Sequence, residues 1–307
     1  MTDSIIFAGT PTNAADTLRA LVAAGVEVEL VLTRPDAPVG RKRVVTPSAV
    51  AVAAAELGIE TVKTSKFDDD LLSKLRTARS QVAIVVAFGV LLKAEAISSL
   101  SRGWYNLHYS LLPALRGAAP VQHALLQGFS ETGVTLFQID EGLDTGPILS
   151  QVPALVEPNE DAASLLSRLT KIGQSLLLQE IPRLLSSIPL NLSPQNGTAT
   201  FAPKLTRDLA RIDFEQPASS ELNRIRATNP EPGSWCLLEG MPFKILEARL
   251  ATNALLEAGE AIFDENKVIC GFGGETSLQL ITVQPSGKSP MAAEDWLRGR
   301  KMKVKFD

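Results

Sequence analysis
The chain is poor in the residues that most often carry metal, redox and acid–base chemistry, with 2 cysteines and 2 histidines among 307 residues. Cys236 and Cys270 stand far apart and in no C-x-x-C pattern, which argues against both a disulfide framework and a zinc site. No apolar run approaches the roughly 20 residues that a membrane span needs. The first one, Ile5–Ala8, is too short for the core of a signal peptide and lies too near Met1 to leave room for a transit peptide. A cytoplasmic protein is therefore expected. Neither sign of charge dominates: 30 Lys and Arg against 34 Asp and Glu give a net charge of −4 and a pI near 5.4, so nothing global marks a nucleic-acid binder. Gly9 lacks the companion glycines of a dinucleotide fingerprint and reads as a tight turn at a strand end. There is no internal repeat, no coiled coil and no exposed apolar seam, and a monomer is the expectation.

What is present is ordinary in amount, 45% hydrophobic and 21% charged residues, and the length suits two domains rather than one core. The first half alternates strand and helix. Ile5–Ala8 reads as a buried strand, broken by Gly9, Thr10 and Pro11. Thr12 or Asn13 can cap the helix that follows, and Val26–Leu32 is the next strand. Helices are predicted over Pro47–Leu57, around Asp69–Arg79 and near Leu91–Leu100. Val82–Phe88 is apolar on both faces, as a central parallel strand should be. Strands over Trp104–Leu107, Val134–Ile139 and Ile148–Val156 follow, with a helix from Pro120 to about Gln127 between the first two. Asn159 is placed to cap a helix striped by Leu165, Leu166, Leu169, Ile172 and Leu176.

Between Pro182 and Pro203 the sequence turns to Pro, Ser, Asn, Gly and Thr, the composition of a linker. Beyond it, one helix near Ser219–Ala227 precedes short strands around Ser234–Leu238, Phe243–Leu250, Ala261–Phe263, Val268–Cys270 and Ser277–Val283, which suggests a small β-barrel. The expected fold is α/β: a Rossmann-like, mostly parallel sheet domain over residues 1–182, a linker over 183–206 and an OB-like barrel over 207–307. Two local basic stretches interrupt the even charge. One is the Pro-rich segment Arg34–Arg43, long for a connection between elements. The other is the tail from Arg298 to Asp307, read as solvated and disordered.

Asn106 and His108 lie two residues apart at the end of an apolar run, so on a strand they point to the same side. With Asp144, from the loop Asp140–Gly146, they could place an amide donor, an imidazole and a carboxylate around one reacting centre. Asp144 before Thr145 and Gly146 is equally at home as a turn former. Ser110 lacks a nucleophile elbow and reads as a turn residue, and His123, on the helix after Pro120, reads as structural.

The run Asn106-x-His108-x-Ser110-Leu-Leu-Pro113, then Arg116–Pro120, then Gly142–Gly146, resembles the 10-formyltetrahydrofolate-dependent formyltransferases. Ile6–Pro11, the Arg34–Arg43 insertion, Ala199–Lys204, Arg211–Asp213, Arg226–Pro230 through Trp235, and Pro285–Lys288 extend the likeness along the whole chain. They narrow it to the branch of that family that formylates methionyl-tRNA. Thr12 with Asn13, Tyr109 and Leu115 depart from the residues most frequent at their positions.

The resemblance implies 10-formyltetrahydrofolate as formyl-donor cosubstrate, no metal, and initiator methionyl-tRNA as acceptor. It implies a catalytic trio of Asn106, His108 and Asp144, with Asp144 keeping His108 protonated. It assigns Ser110, Leu111, Leu112 and Pro113 to a folate-binding loop and Val86, Ala87, Phe88 and Gly89 to the wall against the pterin. Arg41, Lys42 and Arg43 would meet the tRNA, and the barrel would add positively charged contact surface. Three other readings stand beside it: a formyltransferase for a glycinamide nucleotide or an amino sugar, a formyl-folate hydrolase, and a catalytically idle RNA-binding module.

Overall fold
Apolar strands bounded by turn residues build a seven-stranded sheet in the order β5-β2-β1-β6-β7-β8-β9. The computed structural model describes residues 4–40, 42–251, 256–300 and 303–307. The chain divides into two units, the first formed by residues 1–117, 131–155 and 166–201 and the second by 118–130, 156–165 and 202–307. In chain order the first half runs β1 (Ser4–Gly9), α1 (Thr12–Ala23), β2 (Glu27–Thr33), β3 (Ala37–Val39), β4 (Val44–Thr46), α2 (Ala49–Glu56), β5 (Thr61–Lys63), α3 (Asp69–Thr77) and β6 (Val82–Val86). It continues α4 (Ala94–Ile97), β7 (Gly103–His108), α5 (Pro120–Leu126), β8 (Glu131–Gln138), β9 (Ile148–Leu155) and α6 (Ala162–Leu185). Every pairing from β5 to β7 is parallel, while β7–β8 and β8–β9 are antiparallel, so the sheet is mostly parallel as expected.

β1 and β6 are buried along their whole length, which is why their sequences are apolar on both faces. Strand order reverses between them, because β1 feeds β2 on one side and has β6 on the other. Such a switch point opens a crevice at the carboxyl ends of the strands. Gly9 ends β1 there, and a Cβ on it would lie 2.7 Å from the Cβ of Ala14. Trp104 and Phe88 are buried in the core on one side of the sheet with Leu30, Leu32, Leu72 and Leu100.

Several local expectations are corrected. Thr12 and Asn13 are inside α1 rather than capping it: Pro11 holds the cap position with no side-chain hydrogen bond. Asp161, not Asn159, caps α6, accepting from the Ser164 amide at 2.8 Å while its own amide donates to Ser164 Oγ at 3.0 Å. The Arg34–Arg43 segment is not a bare loop. β3 and β4 pair as a hairpin, with Arg43 N–H donating to Gly40 O across the turn. Residues 193–201, inside the expected linker, are held at both ends by hydrogen bonds. Ser193 exchanges two with Ile148, and Thr200 takes Arg116 N–H and gives its own N–H to Pro113 O.

The second unit contains α5, then α7 (Ala218–Thr228), β10 (Trp235–Leu238), β11 (Met241–Ala251), β12 (Glu260–Asp264), β13 (Lys267–Phe272), β14 (Thr276–Pro285), β15 (Met291–Ala292), α8 (Ala293–Arg298) and β16 (Lys303–Lys305). Its strands follow the order β10-β11-β14-β13-β12-β16, with β15 added on β14. Leu237 and Asp307 exchange two backbone hydrogen bonds of 3.0–3.1 Å, which bring the chain's last residue onto β10 and nearly close the barrel. The expectation of a disordered tail thus fails at 303–307. β16 pairs with β12, and Phe306 is buried with its ring 5.1 Å from Phe243 and 5.6 Å from Phe214. A charge count sees the lysines of the tail and misses this one aromatic anchor.

Candidate active site
β7 delivers Asn106 and His108 to the carboxyl end of the sheet beside β6, since Val85 pairs with Asn106. Their alternation on the strand puts both on one face. His108 is 5% exposed, and its Nε2 lies 3.0 Å from the Leu115 carbonyl. A carbonyl only accepts, so Nε2 carries the proton and Nδ1 is left to face the site. Asp144 Oδ2 is 3.7 Å from Nδ1, too far for a hydrogen bond and close enough to act as a charge. The same oxygen accepts the Gly117 amide at 2.7 Å. Asn106 is half-buried, and among the described residues its side-chain amide has no partner. The structure therefore brings Asp144 to His108 and sets Asn106 on the same face of the strand two residues away.

Two effects oppose each other on the imidazole that Asp144 is expected to keep protonated. Burial pushes the imidazole below the ordinary histidine value, outweighing the pull of the Asp144 carboxylate and the Leu115 carbonyl in the other direction. The resting ring is neutral, with a free Nδ1 lone pair. That is the form a proton acceptor needs.

Asp144 sits in the loop between β8 and β9 at φ 51°, the left-handed region. Asp140 ties that loop by accepting from Thr145 Oγ1 at 2.6 Å and from Gly142 N–H at 3.1 Å. Gly146 closes it. A Cβ there would meet Gln138 O at 1.7 Å, so only glycine fits.

The segment Ser110–Pro113 directly follows His108. Ser110 is buried and donates to Ala114 O, as a turn residue would. Thr135 on β8 donates to Ser110 O and accepts from Leu112 N–H, and Gln151 on β9 donates to Leu112 O. Val86–Gly89 leaves the end of β6 with Phe88 buried and Ala87 and Gly89 exposed, both at positive φ. Thr10 Oγ1 fixes the turn by donating to Phe88 O. Sequence reasoning missed Thr135 and Gln151, and also Gln195, which donates to Asp144 O, and Thr200, whose hydroxyl accepts from Leu115 N–H; they are distant in the chain, and only the sheet register and the course of residues 193–201 bring them in.

Two of the unusual residues meet, since Asn13 Nδ2 donates to the Tyr109 hydroxyl at 3.0 Å. Leu115, another of them, matters through its carbonyl, which any residue supplies. His123 is buried with Nε2 2.9 Å from Pro203 O, the structural role expected of it. Burial pushes both cysteine thiols up, so neither is a reactive thiolate. Among the described residues no cluster could hold a metal ion, and no helix is long and apolar enough to cross a membrane.

Of the residues expected to meet tRNA, Lys42 and Arg43 lie exposed at the turn of the β3–β4 hairpin, and Arg41 lies outside the described residues. The second unit carries a further basic feature. Arg207 and Arg211 both lie over the Trp235 ring, at 4.8 and 5.5 Å from its centroid, and neither has a carboxylate partner among the described residues. Spacing did not reveal them, because Trp235 is far along the chain.

Residues 3–181 match the family described as formyl transferase, and residues 204–301 match the formyl transferase C-terminal domain. The chain is 44% identical to a methionyl-tRNA formyltransferase of Arthrobacter sp. (strain FB24), over 96% of each. It is 42% identical to the methionyl-tRNA formyltransferase of Streptomyces coelicolor, over 97% of each. Among solved structures it is similar to the N-formyltransferase of Helicobacter canadensis in complex with folinic acid and dTDP-3-aminofucose. There the TM-score is 0.68 at 19% identity, over 93% of this chain and 100% of that one, a likeness of fold alone.

Proposed function
The chain belongs to the formyl transferase family, and from that premise we propose that it moves a formyl group from 10-formyltetrahydrofolate to the α-amine of methionyl-initiator tRNA. The observation that supports this reading is Asp144 3.7 Å from His108 at the end of the strand that also carries Asn106, in a chain that matches tRNA-directed relatives along nearly its full length.

The neutral amine attacks the formyl carbon and the carbonyl oxygen becomes an oxyanion. The Asn106 amide, with no other partner among the described residues, donates to it; one such donor is worth about 3–4 kcal/mol of barrier. Nδ1 of His108 accepts the proton that the amine sheds, and the Asp144 carboxylate stabilises the imidazolium so formed. The ring then returns the proton to the folate nitrogen as the carbon–nitrogen bond to the donor breaks. Nε2 stays on Leu115 O throughout, so only one ring nitrogen exchanges protons. The folate lies between Val86–Gly89 and Ser110–Pro113, whose backbones are fixed by Thr10, Thr135 and Gln151. Arg41, Lys42 and Arg43 contact the tRNA from the first unit, and Arg207 and Arg211 contact its backbone from the second. The enzyme works as a cytoplasmic monomer, with a catalytic domain over 1–182, a connecting segment over 183–206 and a tRNA-binding barrel over 207–307.

A second reading, formylation of an amino sugar, takes support from the fold of the Helicobacter canadensis enzyme. Incubation with labelled formyl-folate separates the two. Label is expected on charged initiator tRNA and not on uncharged tRNA or a nucleotide-linked amino sugar; label on the sugar alone would replace the proposal.

A further inference from the structure
We propose that Gln195 is a positioning residue that holds Asp144 opposite His108, an assignment that rests on the catalytic reading above. Its composition places it in a Pro-Asn-Gly stretch that looks like passive connection. In the fold its side chain spans the two loops that carry the partners of the imidazole.

Gln195 Nε2 donates to Asp144 O at 2.8 Å and to Gly146 O at 2.9 Å, and its Oε1 accepts Arg116 Nη2 at 2.6 Å and Nε at 3.2 Å. The orientation of the amide follows from its neighbours: two carbonyls can only accept, and a guanidinium can only donate. Arg116 stands between Leu115, whose carbonyl takes Nε2–H of His108, and Gly117, whose amide binds the Asp144 carboxylate. One neutral side chain thus couples the loop holding one face of the imidazole to the loop presenting the acid at the other.

Asp144 needs such a hold. Its φ of 51° and the φ of 61° at Leu115 are positions that non-glycine residues keep only when their surroundings impose them. Among the described residues the Asp144 carboxylate accepts from one backbone donor, the Gly117 amide, and the gap to His108 Nδ1 is 3.7 Å. At that range, small displacements change the electrostatic coupling strongly. Gln195→Glu would set an oxygen against two carbonyl oxygens, and Gln195→Ala would leave the Gly117–Asp144 hydrogen bond as the remaining link between the loops. The backbone of this segment is independently pinned by the Ser193–Ile148 and Thr200–Arg116 hydrogen bonds, so loss of the side chain does not release the segment itself.

The test uses the full chain as wild type, Gln195→Ala, Gln195→Glu and Asn196→Ala, the last removing an exposed neighbour in the same segment. Single-turnover transfer to methionyl-tRNA, binding of the formyl donor, and NMR titration of the His108 ring (assigned with a His123→Gln variant) are measured on each. Both Gln195 variants are expected to lose about 10–100-fold in transfer rate with donor binding kept. For Gln195→Ala the His108 midpoint is expected to move downward, because the imidazolium loses its nearby carboxylate. Asn196→Ala should match wild type. In an Asp144→Asn background, Gln195→Ala should add no further shift. A Gln195→Ala protein with the wild-type rate overturns the proposal. So does a slow one whose His108 titrates as in wild type, or a shift that persists undiminished without the Asp144 carboxylate. If the wild type fails to formylate methionyl-tRNA, the functional reading falls, while the titration still reports on Gln195.

Discussion

The site in the first unit and the basic surface of the second are built on opposite principles. Around His108 the supporting frame is held by hydrogen bonds, with Leu115 O, the Gly117 amide, Asp140, Thr135 and Gln195 each fixing one element of the geometry and His108 Nδ1 and the Asn106 amide left open to substrate. Around Trp235, two guanidiniums lie exposed over a ring, with no carboxylate among the described residues to hold them. Proton transfer needs atoms kept to within a fraction of an ångström, so its residues are buried and tied down. Phosphate contact needs charge at the surface and tolerates motion, so its residues stay solvated until the polyanion arrives.

Removing the imidazole should have the largest effect. His108→Ala is expected to lower the transfer rate by about 10²–10⁴-fold while both substrates still bind, as read by single-turnover rates and separate binding measurements. Loss of binding in proportion to rate would mean that this residue grips substrate rather than moving protons. Asn106→Ala should cost about 10²–10³-fold in rate at saturating substrates, the value of one oxyanion donor. A smaller effect would leave the oxyanion to another group.

The surface should respond differently. Arg207→Ala with Arg211→Ala is expected to weaken tRNA binding at low salt and flatten the log–log salt dependence by about 1 per lost phosphate contact, leaving the saturated rate alone. A fall in the saturated rate would erase the contrast between the two regions.

The smallest effect concerns acid. Because burial lowers the folded pKa of His108, the unfolded chain takes up a proton at about pH 6.5 while the folded chain resists it. Stability contributed by the neutral buried ring is therefore complete above that pH and declines as pH falls below it. Urea melts of wild type and His108→Ala across pH 5–8 check this: the variant should show the shallower acid loss, and parallel curves would contradict a depressed pKa.

The fold was legible where period and composition speak locally. Val82–Val86 is apolar on both faces and proved a central strand, and the recurring short strands after residue 207 proved a barrel. Asn106 and His108 were legible because two residues on a strand share a side. What escaped was non-local. Phe306 anchors a tail that by charge looked free, and Asp161 rather than Asn159 starts α6 because its side chain reaches Ser164. Gln195 sits in a segment whose composition signals a linker, and only its hydrogen bonds to two distant loops reveal a task. The charge of His108 escapes the sequence for a related reason: the nearby carboxylate is visible in a motif, whereas the burial that opposes it is a property of the packed structure.

The most direct test is single-turnover formyl transfer to methionyl-tRNA by wild type and Asp144→Asn, with donor and tRNA binding measured on both. The carboxamide matches the carboxylate in shape and lacks its charge. Transfer slowed at least about hundredfold with both substrates bound is the expected result; a rate near wild type would contradict the joint action of Asn106, His108 and Asp144.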